Sequence, residues 1–173
     1  NDEIIAASKY GLLRFNISEN VISDFTKVDG LNGMGLTEME SSPNGIDVLL
    51  GYEDGLIELW SSNIIREIPD IPQSGKYPGR SSINAFVFDG EDRAFAATGF
   101  GVVELDLSYG VVKGTYLLRD DGTPTETYNI DIGNDSLYVA AETGLWSASL
   151  GDPLYLFSSW NQSQRCADTA IND

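Results

Sequence analysis

The stretch VLLGYEDGLIEL, residues 48–59, decides the fold because three other segments of the chain align on its second glycine. They read IIAASKYGLLRF at 4–15, AFAATGFGVVEL at 94–105 and LYVAAETGLWSA at 137–148. The shared glycines are Gly11, Gly55, Gly101 and Gly144. They are separated by 44, 46 and 43 residues, which is the size of a propeller blade of four short strands. The repeat therefore predicts an all-β chain, a β-propeller of about four four-stranded blades.

The positions around the shared glycines form columns of similar residues. Two residues after the glycine the side chain is apolar, and the next one is polar in every segment. The apolar column is Leu13, Ile57, Val103 and Trp146, and the polar column is Arg14, Glu58, Glu104 and Ser147. This alternation is typical of a strand with one wetter face. The glycine itself fits the left-handed position of a hairpin turn between the second and third strands of each blade.

The remaining strands of each unit are placed around that hairpin. We predict inner strands at 34–40, 83–88 and 127–132, and outer strands at 21–26, 63–68, 111–117 and 154–157. Apolar residues at helical spacing never extend over ten residues, so we expect no long helix. The chain is predicted to be a single propeller domain or a fragment of one, spanning 1–173. Its units fall at about 1–28, 29–74, 75–120 and 121–160, with a tail at 161–173.

The first unit begins at its second strand, because only three residues precede Ile4. Two arrangements stay open. The tail after Phe157 returns to complete the first blade and closes a small ring, or the blades form an arc of a larger propeller. An arc leaves unpaired strand edges, which favour pairing with another molecule. We therefore expect a monomer if the tail pairs, and an edge-mediated dimer if it does not.

Charge and composition exclude several kinds of function. Lys and Arg total 10 against 27 Asp and Glu, so the formal net charge is −17 and nucleic-acid binding is not expected. The chain has no histidine and a lone cysteine, Cys166, which excludes histidine-based catalysis and an intrachain disulfide. No apolar run is long enough for a transmembrane helix. The opening residues 1–3 do not resemble a signal peptide, so we expect a mature or trimmed segment.

Acidic and glycine-rich motifs in the chain have ordinary structural explanations. The segment 99–101 reads Gly-Phe-Gly but lacks the third glycine and the following helix of a dinucleotide-binding loop. The acidic segments 89–92 and 120–122 lack the alternating oxygen ligands of a calcium loop. Glu53 and Glu142 are expected in hairpin turns, where solvated acids are common. The sequence therefore predicts no catalytic residue, no metal site and no cofactor.

Two longer stretches carry a family resemblance. DGLNGMGL at 29–36, followed by GYEDGLIELW at 51–60, resembles the repeat of two-component-regulator-type propellers. Together with IPDI at 68–71 and ATGFGVVELDL at 97–107, it resembles the amino-terminal propeller of the PorZ-like family of type IX secretion. The resemblance covers about residues 5–160. It implies a fragment of an exported protein of the periplasm or cell surface, from a family associated with delivery of anionic lipopolysaccharide.

Basic residues concentrate on one predicted face of the propeller. The hairpins between second and third strands share a face with the loops between blades. Six of the ten basic residues fall there, namely Lys9, Lys27, Lys76, Arg80, Arg119 and Arg165. The long loop 70–82 carries Lys76, Tyr77 and Arg80 together. We therefore predict a binding site for an anion or a partner at Lys76, Tyr77, Arg80 and Arg119.

Three functions compete at this point. The first is a non-enzymatic binding scaffold in type IX secretion, with protein partners and an anionic glycolipid as its ligands. The second is the ligand-sensing propeller of a hybrid two-component regulator, which binds a glycan fragment. The third is a propeller enzyme that acts on polysaccharide, for which Glu53, Asp54 and Glu142 are the available carboxyl groups.

Overall fold

The computed structural model of the chain describes residues 3–61, 64–77 and 80–163, and these residues form four antiparallel sheets. The first sheet has three strands, and each of the others has four. Every strand pairs with its neighbours in chain order, so each sheet is a meander. This is the blade architecture that the repeat predicts, and the four sheets form an open arc of blades.

The first sheet contains β1 (Glu3–Ser8), β2 (Gly11–Asn16) and β3 (Val21–Phe25). The second contains β4 (Leu36–Ser41), β5 (Asp47–Tyr52), β6 (Ile57–Ser61) and β7 (Ile64–Ile68). The third contains β8 (Ile83–Asp89), β9 (Arg93–Thr98), β10 (Val102–Asp106) and β11 (Val111–Tyr116). The fourth contains β12 (Thr127–Gly133), β13 (Ser136–Ala141), β14 (Gly144–Ser149) and β15 (Asn161–Gln162). The described helices are one short α-helix, α1 (Asp70–Ser74), and two 3-10 helices, Lys27–Asp29 and Phe157–Ser159.

The outer strand of the fourth sheet lies later in the chain than the sequence predicts. The predicted segment 154–157 forms a turn that leads into the second 3-10 helix, and β15 pairs with Trp146 and Ser147 instead. The cause is Trp160, which is buried and donates a hydrogen bond from Nε1 to the Leu154 carbonyl oxygen at 2.9 Å. That hydrogen bond holds residues 154–160 in a compact turn, so residues 154–157 do not pair with β14.

The four repeat glycines lie at the hairpins between the second and third strands, as predicted. Gly55 and Gly101 lie in the turn, whereas Gly11 and Gly144 are the first residues of β2 and β14. Gly11 and Gly101 have φ angles of +152° and +154°, which L-residues with side chains rarely adopt. A Cβ at Gly101 would lie 2.6 Å from the Tyr116 carbonyl oxygen. The Gly11 site is closed in the same way by the Phe25 carbonyl. Glycine is thus required by both backbone angle and close approach to the neighbouring outer strand.

Gly55 lies one residue earlier in its turn than the other three glycines. Gly51, four residues before Gly55, pairs with Ile57, two residues after it. In the other three hairpins the small residue four positions before the glycine pairs with the residue directly after the glycine. Because strand side chains alternate between faces, this extra residue reverses the faces of β6 relative to the sequence alignment.

The prediction that the polar column forms a wetter face is wrong for its two glutamates. Glu58 and Glu104 are buried, at 0% and 5% exposure. Glu58 accepts a hydrogen bond from the hydroxyl of Tyr52, in the core between the first two sheets. Glu104 accepts one from Tyr116, in the core between the last two sheets. The two carboxylates therefore occupy different interfaces, as the reversed faces of β6 require.

The core consists of three layers, each between two consecutive sheets. The layers hold apolar clusters around Tyr52 and Trp60, around Leu49 and Phe100, and around Phe95. All three tryptophans, Trp60, Trp146 and Trp160, are buried. Each fully buried large apolar side chain contributes about 1.5–3 kcal/mol, so the blades are held together chiefly by these layers.

Within the described residues the first sheet has three strands, and apolar side chains on one of its faces are exposed. Ile4, Leu13 and Ile22 lie on this face, with 54%, 45% and 66% of their surface exposed. Val103 and Trp146, the residues equivalent to Leu13 in the third and fourth sheets, pack into the layer shared with the preceding sheet and are buried. The tail that the sequence analysis considered for closing the ring lies largely outside the described residues.

Candidate functional site

The hairpins between second and third strands and the loops between sheets lie on one face of the arc. We call this the loop face: hairpins 9–10, 53–56, 99–101 and 142–143, and loops 26–35, 69–82 (described except for 78–79) and 117–126. The same backbone hydrogen bond joins a hairpin to the end of a loop at three junctions. The donor and acceptor pairs are Glu53 N to Gly35 O, Gly99 N to Ser82 O, and Glu142 N to Glu126 O, at 2.9–3.0 Å. The shared face that the sequence predicts is therefore present and is held by the backbone.

The loop after the second sheet is packed onto the 99–101 hairpin. The ring of Tyr77 stacks on that of Phe100, with centroids 4.1 Å apart and an interplanar angle of 9°. A Cβ at Gly99 would lie 2.5 Å from the Arg80 carbonyl oxygen, so glycine permits the loop backbone to approach this closely. Lys76 and Arg80 are exposed on either side of Tyr77. The predicted aromatic residue is thus part of the support, and the two cations face solvent.

Arg119 lies at the next junction and is held by two neighbours. Its Nε donates to Thr125 Oγ1 at 2.7 Å, and its Nη2 lies 3.7 Å from the Glu142 carboxylate. The backbone N–H of Thr125 donates in turn to the Phe100 carbonyl oxygen at 3.1 Å. Tyr77 contacts this hairpin directly, and Arg119 is linked to it through Thr125. The charge of Arg119 is already partly neutralised by Glu142.

Lys9 and Lys27 line a separate cavity of about 410 Å³ at the first junction of the loop face. Leu31, Tyr52 and Glu53 also line it. These two lysines were placed on this face by the sequence but were not assigned to the site, and they lie away from the Phe100 hairpin. The sixth predicted cation, Arg165, and the lone Cys166 lie outside the described residues.

Carboxylates dilute the positive charge of the loop face, as the sequence indicates. Asp29 caps the 3-10 helix through bonds from the backbone N–H and hydroxyl of Thr26. Asp121 accepts bonds from the backbone N–H and hydroxyl of Thr123, which lower the pKa of its carboxyl group. The face is therefore mixed in charge, and Asp29 and Asp121 are already hydrogen-bonded within their own loops.

The role of Glu58, a buried carboxylate on β6, was missed by the sequence analysis, which placed it on a wetter face. Glu58 Oε1 accepts the backbone N–H of Asn32 at 2.8 Å, and its Oε2 accepts the Tyr52 hydroxyl. Burial raises the pKa of Glu58, and burial with the adjacent carboxylate raises that of Tyr52. Because Asn32 lies in the loop 26–35, its hydrogen bond to Glu58 helps to hold that loop of the loop face in place. The signal was available in principle, since both Tyr52 and Glu58 lie in the repeat that decides the fold.

The acidic motifs set aside by the sequence analysis occupy turns. Asp89 pairs with Arg93, and Asp92 accepts a hydrogen bond from the Ser108 hydroxyl at 2.5 Å. Within the described ranges, three or more carboxylate or cysteine ligands never come close enough to hold a metal ion. In the same part of the chain, the helices are all too short or too polar to span a membrane.

Comparison with known proteins gives one family and several similar folds. The family model for the TSS9, PorZ, N-terminal beta-propeller domain matches residues 4–161. None of the curated proteins matches the sequence. PorZ of Porphyromonas gingivalis, described as an essential bacterial surface component of the type IX secretion system, is similar over 92% of this chain, with a TM-score of 0.78 and 19% identity.

Two further solved structures share the fold. The extracellular domain of a one-component system from B. thetaiotaomicron is similar over 85% of the chain, with a TM-score of 0.69 and 14% identity. Sqt1 of Saccharomyces cerevisiae is similar over 85%, with a TM-score of 0.67 and 15% identity. The chain spans 21% of the PorZ structure, 20% of the bacterial domain and 42% of Sqt1. At these identities the likeness shows a common fold.

Proposed function

The chain belongs to the family of PorZ N-terminal β-propeller domains of the type IX secretion system, and we propose that it works as a non-enzymatic binding scaffold in such a system. It acts in the periplasm or at the cell surface, as part of an exported protein. Residues 1–173 form a single domain or a fragment of one, with the units that the repeat predicts. Its ligands are protein partners of the secretion assembly and an anionic lipopolysaccharide.

This proposal rests on the contacts that hold the loops of the loop face in place. Three loops are tied to hairpins by equivalent backbone hydrogen bonds. Tyr77 stacks on Phe100, and Arg119 is held by Thr125, whose backbone N–H donates to the Phe100 carbonyl oxygen. Side chains on loops that are anchored in this way can present charge with little loss of conformational entropy on binding. A recognition surface needs this property, whereas a solvated linker does not.

Lys76, Arg80 and Arg119 supply the attraction for an anionic ligand. Arginine forms bidentate hydrogen bonds with phosphate or carboxylate, and lysine adds a point charge. The formal net charge of −17 opposes the approach of an anion from a distance. We therefore expect affinity to rise as moderate salt screens this long-range repulsion.

Binding to vesicles that carry anionic lipopolysaccharide tests the proposal, with neutral-lipid vesicles as the reference. The triple variant Lys76→Ala, Arg80→Ala, Arg119→Ala should bind the anionic vesicles at least tenfold more weakly than the parent chain. The matched control neutralises three cations in strands, Arg14→Gln, Arg66→Gln and Lys113→Gln. Both variants lose three positive charges. Weaker binding to the anionic vesicles that is confined to the first variant is therefore specific to the site. Equal affinity of the two variants would overturn the site.

A second candidate function is the ligand-sensing propeller of a two-component regulator. The structural likeness to the bacterial extracellular domain favours it. The open reading frame that contains this chain separates the two. A second propeller and a sorting domain support secretion, whereas a membrane helix followed by a histidine kinase supports sensing.

A further inference from the structure

The cavity of about 410 Å³ at the first junction of the loop face combines apolar and charged walls. The buried side chains of Leu31, Leu36 and Tyr52 form part of its lining, and the exposed side chain of Met34 adds to the apolar surface. Cavities of this size, lined mainly by apolar side chains with a few polar groups, are typical of binding sites for small ligands.

The loop at this junction is short, which leaves room for the cavity. The corresponding loop at the second junction, 69–82, packs its own side chains against both hairpins. A Cβ at Gly55 would lie 2.7 Å from Ile71 Cγ2, and Tyr77 stacks on Phe100. Loop 26–35 is four residues shorter, and its backbone lies against the ring of Tyr52 at Gly33, where a Cβ would collide with that ring.

Two lysines lie at the end of the cavity beside the first sheet. Lys9 belongs to the β1–β2 hairpin, and Lys27 begins the 3-10 helix that follows β3. These segments are adjacent, because a Cβ at Gly11 would collide with the Phe25 carbonyl oxygen. Lys9 Nζ lies 5.5 Å from the centroid of the Tyr10 ring. Among the described residues, the ion pairs are formed by other cations, so both ammonium groups are available to an anion.

A carboxylate lies at the end of the cavity beside the second sheet. The backbone N–H of Glu53 donates to the Gly35 carbonyl oxygen at 2.9 Å. The Glu53 side chain lies against the same glycine, where a Cβ would come within 2.6 Å of Glu53 Cδ. Lys27 and Glu53 thus lie near the two ends of the loop that lines the cavity. Two cations face one carboxylate across a mainly apolar surface.

We propose that this cavity binds a short peptide with free termini, two or three residues long and with apolar side chains. The α-carboxylate pairs with Lys9 and Lys27, and the α-ammonium group pairs with Glu53. The apolar side chains pack on Leu31 and Leu36. This site shares no residue with the group of Lys76, Arg80 and Arg119, so it does not rest on the proposed function.

The spacing and the charge of the site favour this class of ligand. A free amino acid carries both charged groups on one carbon, so it cannot pair with both ends of the cavity. An extended chain advances about 3.3–3.6 Å per residue, so two or three residues match the width of about 9 Å of a sphere with the cavity's volume. A zwitterion has no net charge, so the formal net charge of −17 does not repel it as it repels an anion.

Titration of this chain with trileucine, followed by amide NMR, tests the proposal. The largest shift changes should fall in residues 9–11, 31–36 and 52–53. Three related probes each lack one feature of the ligand: trileucine amide lacks the carboxylate, N-acetyltrileucine lacks the ammonium group, and triglycine lacks the apolar side chains. Each of the three should bind at least fivefold more weakly than trileucine. Absence of binding, or shift changes confined to other regions, would overturn the proposal.

Substitutions assign each end of the ligand to its partner. The double variant Lys9→Ala, Lys27→Ala should bind trileucine at least fivefold more weakly and should no longer distinguish it from trileucine amide. Glu53→Gln should no longer distinguish trileucine from N-acetyltrileucine. The matched control, Arg66→Gln with Lys113→Gln, also loses two cations and should bind trileucine like the parent chain.

Two results would contradict this assignment. If the lysine variant still preferred trileucine over its amide, the carboxylate would not lie at Lys9 and Lys27. If the parent chain bound N-acetyltrileucine as tightly as trileucine, the pairing with Glu53 would be wrong, and the cavity would accept the carboxyl end of a longer chain instead.

Discussion

Two substitutions of Glu58 should distinguish two effects on stability, the loss of a buried hydrogen-bond acceptor and the loss of a buried charge. The carboxylate is fully buried and accepts two donors, the Asn32 N–H at 2.8 Å and the Tyr52 hydroxyl. Glu58→Leu leaves both donors without this partner. The Tyr52 hydroxyl is buried, whereas Asn32 is exposed to water. An unsatisfied buried donor costs about 1–3 kcal/mol, so the free energy of unfolding should fall by about 1–3 kcal/mol. Glu58→Gln keeps an acceptor oxygen for Asn32, and its loss at neutral pH should stay below about 1 kcal/mol.

The same substitution has a defined pH dependence. Burial raises the pKa of Glu58 above its ordinary value of 4.5, so the folded state holds the proton more tightly than the unfolded state. The resulting stability is fully present below the ordinary pKa and is lost as pH rises through the raised pKa. Burial raises the pKa of Glu38 and Glu40 in the same direction, so part of the decline remains after the change. The free energy of unfolding of Glu58→Gln should therefore fall less steeply with rising pH than that of the parent chain, but it should still fall.

Urea unfolding between pH 5 and 8 measures both effects, with Glu19→Gln on the exposed β2–β3 turn as the control for a lost surface charge. The control should follow the parent chain closely at every pH. If Glu58→Gln destabilises as much as Glu58→Leu, or leaves the pH profile unchanged, the buried carboxylate does not act as described.

Three further predictions concern backbone, core and chemistry. Gly101→Ala should lower the free energy of unfolding by several kcal/mol, because a Cβ at this position meets a backbone carbonyl. Gly90→Ala, with open space around the glycine, should cost only about 1 kcal/mol. Equal losses in urea unfolding would refute the close approach at Gly101. Leu105→Ala in the core should cost about 2–5 kcal/mol and Leu13→Ala on the uncovered face under about 1 kcal/mol; a larger loss at Leu13 would mean that this face is covered in solution. Incubation with a panel of acidic and neutral polysaccharides should give no cleavage products, and reproducible turnover would show that the propeller is an enzyme.

The fold was predictable because its main signals are local. Each repeat glycine reports a turn within its own hairpin, and the spacing of the four turns gives the blade size without any long-range information. The extra residue after Gly55 was not predictable, because an insertion of one residue in a turn leaves the spacing of the glycines almost unchanged. Its effect on the faces of β6 appears only in the strand pairing. The displaced β15 likewise depends on the contact of Trp160 with Leu154.

The placement of the basic residues on the loop face was predictable from the sequence, and the contacts of those residues were not. Loop and hairpin share a face in any propeller, so the basic residues could be placed from the strand order. The stacking of Tyr77 on Phe100 and the pairing of Arg119 with Glu142 join residues about 23 apart in the sequence. Such pairs depend on the final loop conformations, which no local pattern specifies.

Hydrogen exchange on this chain, with and without vesicles that carry anionic lipopolysaccharide, tests most directly whether the loop face is a binding surface. Slower exchange is predicted in loops 69–77 and 117–126 and in the 99–101 hairpin. The turns 42–46 and 90–92, at the opposite ends of the strands, should exchange at the same rate in both samples. Protection confined to those opposite turns, or none at all with bound vesicles, would contradict the proposed binding face.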